Sequence, residues 1–294
     1  MSVHTVGLVG GGTMGQGIAI TCAAAGLDVL LLEKTRELAR ASVAEIGQTL
    51  ERDIAKWRRT ESEKKAILGR VRTVDEIEPL EAANIVIECV SEDLDLKVSL
   101  FQRLDQVCPP EDVLATNTSS LSVTEIATRT RRPDRVIGLH FLQPVPQVPL
   151  VEVVRGLGTS DATFRTAMEF VRQLGKTGIE VFEYPGYVTT RVILPFLNEA
   201  MHVVMEGVAT PDAVDTSMKL GYGLPVGPLA LADRIGLDEV SRWMQYLFQE
   251  LGDLKYRPCP LLRKMIRAGQ LGVKSGRGFF EYEPDGTAKA ARPA

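Results

Sequence analysis

An α/β chain with a doubly wound parallel sheet, interrupted by an inserted helical hairpin and followed by an all-α C-terminal domain, is the fold class that three observations predict. A short apolar run ends in glycines and opens into a helix-compatible stretch. Further short apolar runs recur at helix-length separations, and strand-like runs stop near residue 184. Alternation of the first kind builds parallel sheets with helices on both faces.

From Thr5 to Val9 the chain is apolar, Gly10, Gly11 and Gly12 follow, and Met14 to Ala25 is rich in small residues before Gly26. This predicts strand, glycine turn, helix and glycine stop. Asp28 then precedes Val29 to Leu32, a continuous apolar run suited to burial on both faces, which closes on Glu33. Similar runs at Ile85 to Val90, Val113 to Ala115 and Val136 to Leu139 extend the sheet. Between about Leu38 and Arg70 long charged helices are expected, with Lys56, Arg58, Arg59, Lys64 and Lys65 near Trp57. They form the inserted hairpin.

Tyr184-Pro185-Gly186 is a turn signal, so the expected domains are 1–184 and 185–294. In the second, Ile193, Phe196, Leu197, Ala200 and Val204 make an apolar helix stripe despite Pro195, Thr210-Pro211 starts the next helix, and Gly221 is expected to stop it. A domain of only about 110 residues has a limited core of its own. Pairing of two copies through an apolar helix face is therefore expected.

Composition narrows the function. The chain has 294 residues, 45% hydrophobic and 24% charged, with a net charge of −4, which argues against disorder and gives no strongly basic face for nucleic acid. The four cysteines form no CxxC pair, so neither a zinc site nor a disulfide framework is expected. No apolar run approaches the roughly 20 residues needed to span a bilayer, and nothing at the N-terminus reads as a signal peptide. A soluble cytoplasmic protein with no membrane partner is the expectation.

Gly10-x-Gly12-x-x-Gly15 lies between a strand and a helix, and Glu33 ends the next strand eighteen residues beyond Gly15. In that context the motif marks a Rossmann-type dinucleotide site. Gly10 permits the turn, Gly12 lets a pyrophosphate approach, and Gly15 lets helix and strand pack. Thr13 and Met14 fall within the same cofactor-binding loop. Glu33 suits two free ribose hydroxyls and would repel a 2′-phosphate, so NAD is favoured over NADP, although Lys34 and Arg36 lie nearby.

Of three histidines, His140 alone ends an apolar run where a strand would deliver it to the carboxyl edge of the sheet, the edge at which such folds bind ligands. Twelve residues later Glu152 stands alone in Leu150-Val151-Glu152-Val153-Val154. An unpaired buried carboxylate is very costly. A general base with its orienting carboxylate satisfies both oddities.

The segments GGGTMGQGIA, TNTSSLS, GLHFLQPVP, LVEVV, PFLNEA, LPVGPLALAD and KSGRGFF, in this order and spacing, resemble the 3-hydroxyacyl-CoA dehydrogenase family, close to its short bacterial 3-hydroxybutyryl-CoA type. The resemblance implies a two-domain fold, a homodimer, and interconversion of L-3-hydroxyacyl-CoA and 3-ketoacyl-CoA with NAD. It also implies that His140 is the base, Glu152 its partner and Ser119 the contact to the substrate oxygen. Glu92 and Lys97 match nicotinamide-side positions, with Asn117 nearby, and Thr49 and Lys56 match positions that meet CoA. Gln143 and Thr190 stand where the family usually has asparagine, both on the substrate side. Lys274 is also read as substrate-side, within a turn that otherwise reads as structural.

Other readings accompany these. Ser119 and Ser120 would also serve as caps for the helix after them. The 56–65 charge cluster would be a solvated face, a contact for CoA phosphates, or an attraction for an acidic carrier protein. Gln143 and Thr190 motivate an alternative substrate, a carrier-tethered or otherwise modified hydroxyacyl group, and a second alternative, a non-catalytic NAD(H)-binding relative. Decarboxylating hydroxyacid dehydrogenases are disfavoured, because their helical GxxGxxxKxxN motif is not found.

Overall fold

The structure is a computed structural model and describes residues 3–289. Its contacts divide the chain into two compact units between Tyr187 and Val188.

The first unit opens as the glycine pattern predicts: β1 (Thr5–Val9), α1 (Thr13–Ala24) and β2 (Asp28–Leu32) form one βαβ unit. The hairpin follows as α2 (Arg36–Ala55) and α3 (Glu61–Arg70). Thr35 caps α2 by accepting from the Leu38 N–H, and Thr60 with Glu63 makes a reciprocal capping box on α3. Then come β3 (Val71–Val74), β4 (Ile85–Glu88), α4 (Leu94–Val107), β5 (Val113–Thr116) and α5 (Val123–Ala127). The unit ends with β6 (Val136–Phe141), β7 (Leu150–Arg155), α6 (Asp161–Gln173) and β8 (Thr177–Phe182).

These strands make one sheet in the order β3-β2-β1-β4-β5-β6-β7-β8. From β3 to β6 it is parallel. β7 pairs antiparallel to β6, and β8 runs parallel to β7, so the last two strands reverse the expected direction. Two apolar clusters cover its faces. One gathers Leu8, Ile18, Ile46, Leu50, Ile87 and Phe170, and the other Val86, Phe101, Leu104, Val136, Val154 and Tyr187.

Two local expectations are corrected. The cap of α5 is Ser122, whose hydroxyl accepts from the Glu125 N–H; Ser119 and Ser120 precede the helix and do not cap it. In the second unit, Gly223 and not Gly221 ends the second helix, because Gly223 adopts the left-handed conformation with φ +69°, which costs glycine no Cβ clash.

The second unit contains α7 (Thr189–Met205), α8 (Pro211–Tyr222), α9 (Pro228–Ile235), α10 (Leu237–Leu251) and α11 (Pro260–Arg267). Leu194, Leu197, Met201, Leu229, Val240, Met244 and Leu262 fill its core. Isolated β-bridges at Gly272–Arg277, Arg277–Glu281 and Tyr282–Ala288 follow the helices. The buried Asp233 holds that segment, accepting from the Phe279 and Phe280 N–H groups and the Tyr282 hydroxyl, each at 3.0 Å. Among the described residues no helix is long and apolar enough to cross a membrane.

Candidate active site

The glycine loop has the shape a dinucleotide requires. Gly10 has φ +98°, and a Cβ there would sit 2.8 Å from the Cys89 backbone; at Gly15 a Cβ would meet the Gly10 carbonyl oxygen at 1.9 Å. Gly12 differs. Nothing lies within 4 Å of a Cβ built on it, so this side of the loop is open for a pyrophosphate. No side chain caps α1 and its first turn carries no acid, which leaves free N–H donors and partial positive charge for phosphates. Thr13 is exposed and Met14 half-buried in that turn. Glu33 is set at the end of β2, where its Oε1 accepts from the Gly11 N–H at 2.5 Å and its Oε2 from the Lys34 N–H at 3.0 Å. These residues fit NAD.

His140 and Glu152 are partners across the β6–β7 pair. Residues directly opposite on neighbouring strands project to the same face, and here Nδ1 of His140 lies 2.6 Å from Oε2 of Glu152. The carboxylate side chain is fully buried and the imidazole is 7% exposed. Buried carboxylates accept hydrogen bonds strongly, which orients the ring with Nδ1 as donor and leaves Nε2 as the basic nitrogen. The Tyr187 ring packs beside the imidazole, centroids 5.4 Å apart and tilted by 59°. Tyr187 is 4% exposed and has φ +46°. It was not among the residues expected from the sequence.

Ser119 follows β5 in a loop gathered by Glu92. One oxygen, Oε1, accepts from the Thr118 hydroxyl at 2.5 Å, the Ser119 and Ser120 N–H groups at 3.1 Å each, and the Ser120 hydroxyl at 2.8 Å. Burial opposes the charge of Glu92, but Lys97 and these donors outweigh it and hold its pKa below the usual carboxylate range. Lys97 is 1% exposed, with Nζ 2.6 Å from Glu88 Oε1, 3.2 Å from the Val90 carbonyl oxygen and 3.4 Å from Glu92 Oε2. Glu88 also accepts from the Thr116 hydroxyl at 2.8 Å and the Val90 N–H at 2.6 Å. Burial pushes its carboxyl up, and Lys97 works against that. Asn117 accepts from the Phe141 N–H at 3.0 Å through Oδ1, tying the end of β5 to the strand that carries His140.

The remaining expected residues are dispersed. Thr49 lies on α2 and accepts from Arg52 Nη2 at 3.0 Å. Lys56 is exposed at the C-cap of α2, before Trp57, which is 96% exposed with φ +57°. Gln143 is exposed in the β6–β7 turn. In the second unit Thr190 is buried in the first turn of α7. Lys274 pairs with Asp238 Oδ2 at 2.6 Å, fastening its turn to the start of α10.

Together the sheet, the open glycine loop and the acid ending β2 define the class: an NAD-dependent dehydrogenase. The family model described as 3-hydroxyacyl-CoA dehydrogenase, NAD binding domain, matches residues 5–184, and the one described as its C-terminal domain matches residues 186–282. The chain belongs to the 3-hydroxyacyl-CoA dehydrogenase family. A probable 3-hydroxybutyryl-CoA dehydrogenase of Bacillus subtilis is 50% identical over 283 residues, covering 96% of this chain and 99% of that protein. A 3-hydroxybutyryl-CoA dehydrogenase of Clostridioides difficile is 44% identical over 275 residues, covering 94% of this chain and 98% of its own. Among solved structures, an (S)-3-hydroxybutyryl-CoA dehydrogenase from Ralstonia eutropha superposes with TM-score 0.89 at 45% identity, covering 96% of this chain and all of that one.

Proposed function

We propose that the chain interconverts short L-3-hydroxyacyl-CoA and 3-ketoacyl-CoA thioesters, of 3-hydroxybutyryl-CoA size, with His140 as general base. The observation that carries this reading is the 2.6 Å contact between His140 Nδ1 and Glu152. In the oxidative direction His140 Nε2 takes the C3 hydroxyl proton as the C3–O bond becomes a carbonyl. Glu152 stabilises the resulting imidazolium and keeps the ring from turning. NAD+ supplies, when bound, a hydride acceptor at C4 of its nicotinamide. The Ser119 hydroxyl, which no described residue engages, holds the substrate oxygen in line; in the reductive direction the same contact polarises the ketone while His140 returns the proton.

Glu92 serves the nicotinamide side, Asn117 fixes the neighbouring backbone, and Thr190, Gln143 and Lys274 serve the acyl side. On the hairpin Thr49 and Lys56 take the CoA moiety, whose phosphates are attracted by the positive charge near Trp57. A homodimer through the helical unit is supported by the exposed apolar side chains Val192, Val208, Leu220, Tyr222 and Leu254, between 68% and 83% exposed. Light scattering then gives twice the chain mass of 32.2 kDa; a monomer removes the dimer.

The test of the substrate is NADH and NADPH oxidation with acetoacetyl-CoA and with the same acyl group on a carrier protein. Turnover of the CoA thioester with NADH is expected. Preference for the carrier thioester replaces CoA as the acyl carrier, and absence of turnover with both removes the reading.

A further inference from the structure

Two carboxylates follow neighbouring strands at the carboxyl edge of the sheet. β2 and β3 are parallel with Leu32 opposite Val74, so Glu33 and Asp75, each one residue further on, leave the two strands side by side. Glu33 is committed to backbone, accepting from the Gly11 and Lys34 N–H groups. Asp75 takes a cation instead. Its Oδ1 accepts from Arg36 Nε at 2.9 Å and its Oδ2 from Arg36 Nη2 at 2.6 Å, a two-pronged pair in which the arginine holds the Asp75 carboxyl below the usual carboxylate range. Arg36 opens α2, three residues past Glu33. In dinucleotide folds an acid at this point receives the ribose 2′-hydroxyl of NAD, whereas an arginine nearby accommodates the 2′-phosphate of NADP. The planar fork that fits a carboxylate also fits a phosphate. This chain carries both the acid and the arginine, and the arginine is engaged by the acid of the next strand. The pair is exposed, with side chains 61% and 52% accessible, so Asp75 competes for Arg36 in reach of solvent and ligand.

We propose that Asp75 is a cofactor-specificity residue: by holding the Arg36 guanidinium at the end of β3 it withholds from a 2′-phosphate the arginine that would receive it, and so adds to the selection for NAD made by Glu33. The inference rests on Glu33 standing at the adenosine ribose. Charge gives the direction. A 2′-phosphate arriving there meets two carboxylates and an arginine already neutralised by one of them, whereas without Asp75 the same arginine is a free, fully charged fork. NADH has a hydroxyl at that position and offers Arg36 no charge to meet, so its binding is indifferent to Asp75.

The test is a double-mutant cycle of Asp75→Ala and Arg36→Ala in a Glu33→Gln background. It is read as dissociation constants of NADPH and NADH from nucleotide fluorescence, with adenosine 2′,5′-bisphosphate and AMP as competing ligands that differ in the 2′-phosphate alone. Asp75→Ala is expected to tighten NADPH and the bisphosphate about tenfold where Arg36 is present and less than about threefold where it is replaced. NADH and AMP are expected to stay within about twofold throughout. Loss of one negative charge is common to both backgrounds, and exposed Lys34 is the same in every variant, so the excess reports the released arginine. Equal gains with and without Arg36, no gain at all, or a matching gain for NADH overturns the proposal. Asp75→Asn, which keeps the shape and removes the charge, takes the place of Asp75→Ala where the latter lowers the melting temperature. An unchanged ratio of NADPH to NADH affinity in Glu33→Gln alone removes Glu33 from the ribose, whereas the role of Asp75 is read from the cycle itself.

Discussion

Nδ1 of His140 and Oε2 of Glu152, 2.6 Å apart, are joined across a directly opposed pair on antiparallel strands. Neither position relies on a loop. The ring and the carboxylate are each carried on strand backbone, the rigid support that the proposed acid–base role requires.

His140→Gln is accordingly expected to lower turnover by about 10²- to 10⁴-fold with NADH binding retained. Steady-state kinetics and fluorescence titration check the two halves. Glu152→Gln keeps a hydrogen-bond acceptor and removes the charge opposite the imidazolium, so it should fall between wild type and His140→Gln. Wild-type turnover in His140→Gln eliminates the histidine as base.

Gly12 and Gly15 separate ligand space from packing space. A Cβ at Gly12 meets nothing within 4 Å, whereas at Gly15 it collides with the Gly10 carbonyl oxygen at 1.9 Å. Gly12→Ala is expected to keep the melting temperature and weaken NADH by about tenfold, the equivalent of one lost hydrogen bond. Gly15→Ala should lower both stability and NADH affinity. Equal behaviour of the two variants in thermal melts would count against this division.

Asp112 gives a pH signature. It is 7% exposed, and its Oδ2 has no hydrogen-bond partner among the described residues. Burial, then the charge of Glu111, pushes its pKa from 3.8 up to about 6, against the pull of Arg132 and Arg135. The folded state thus binds this proton more tightly than the unfolded chain. Stability falls as pH rises from 3.8 to about 6, and the full cost stands above that window. After allowance for solvent screening the cost is about 1 kcal/mol. Asp112→Asn should raise the melting temperature by about 2–4 °C at pH 8 and leave it unchanged at pH 4; an equal rise at both pH values defeats the assignment.

Asp233 and Gly278 account for the KSGRGFF segment. A Cβ on Gly278 would lie 2.0 Å from Asp233 Oδ1, so the glycine permits the carboxylate to receive the Phe279 and Phe280 N–H groups. Asp233→Ala should cost about 3 kcal/mol, since buried donors lose their acceptor. Hydrogen exchange at 279–282 would rise locally, and unchanged protection there would refute the role.

Much of this was legible in the sequence where the signal is local. The strand, glycines, helix and terminal acid of residues 5–33 each carry their own chemical reason, and His140 with Glu152 stood out because an acid inside an apolar strand demands a partner. The same reasoning applied to Ile85-Val86-Ile87-Glu88 points to Glu88, which a run taken as apolar through to Val90 conceals. β3 and β8 carry little apolar signal: Arg72 and Thr73 are exposed, and in Thr177–Phe182 only Val181 is buried. The reversal at β7 was not legible, because strand direction depends on how the chain returns to the sheet and both directions tolerate the same apolar run. Tyr187 likewise has no pattern around it; its place beside His140 arises from tertiary packing.

The turn joining β6 to β7 keeps His140 and Glu152, the proposed base and its partner, inside residues 136–155. On the proposed function the acid–base pair is therefore inherited as one contiguous block, whereas the glycine loop and Glu33 lie within the first thirty-three positions. Chimaeras between relatives that keep these two stretches together with the segment from Glu92 to Ser119 are expected to exchange acyl preference while retaining the proposed base and its partner.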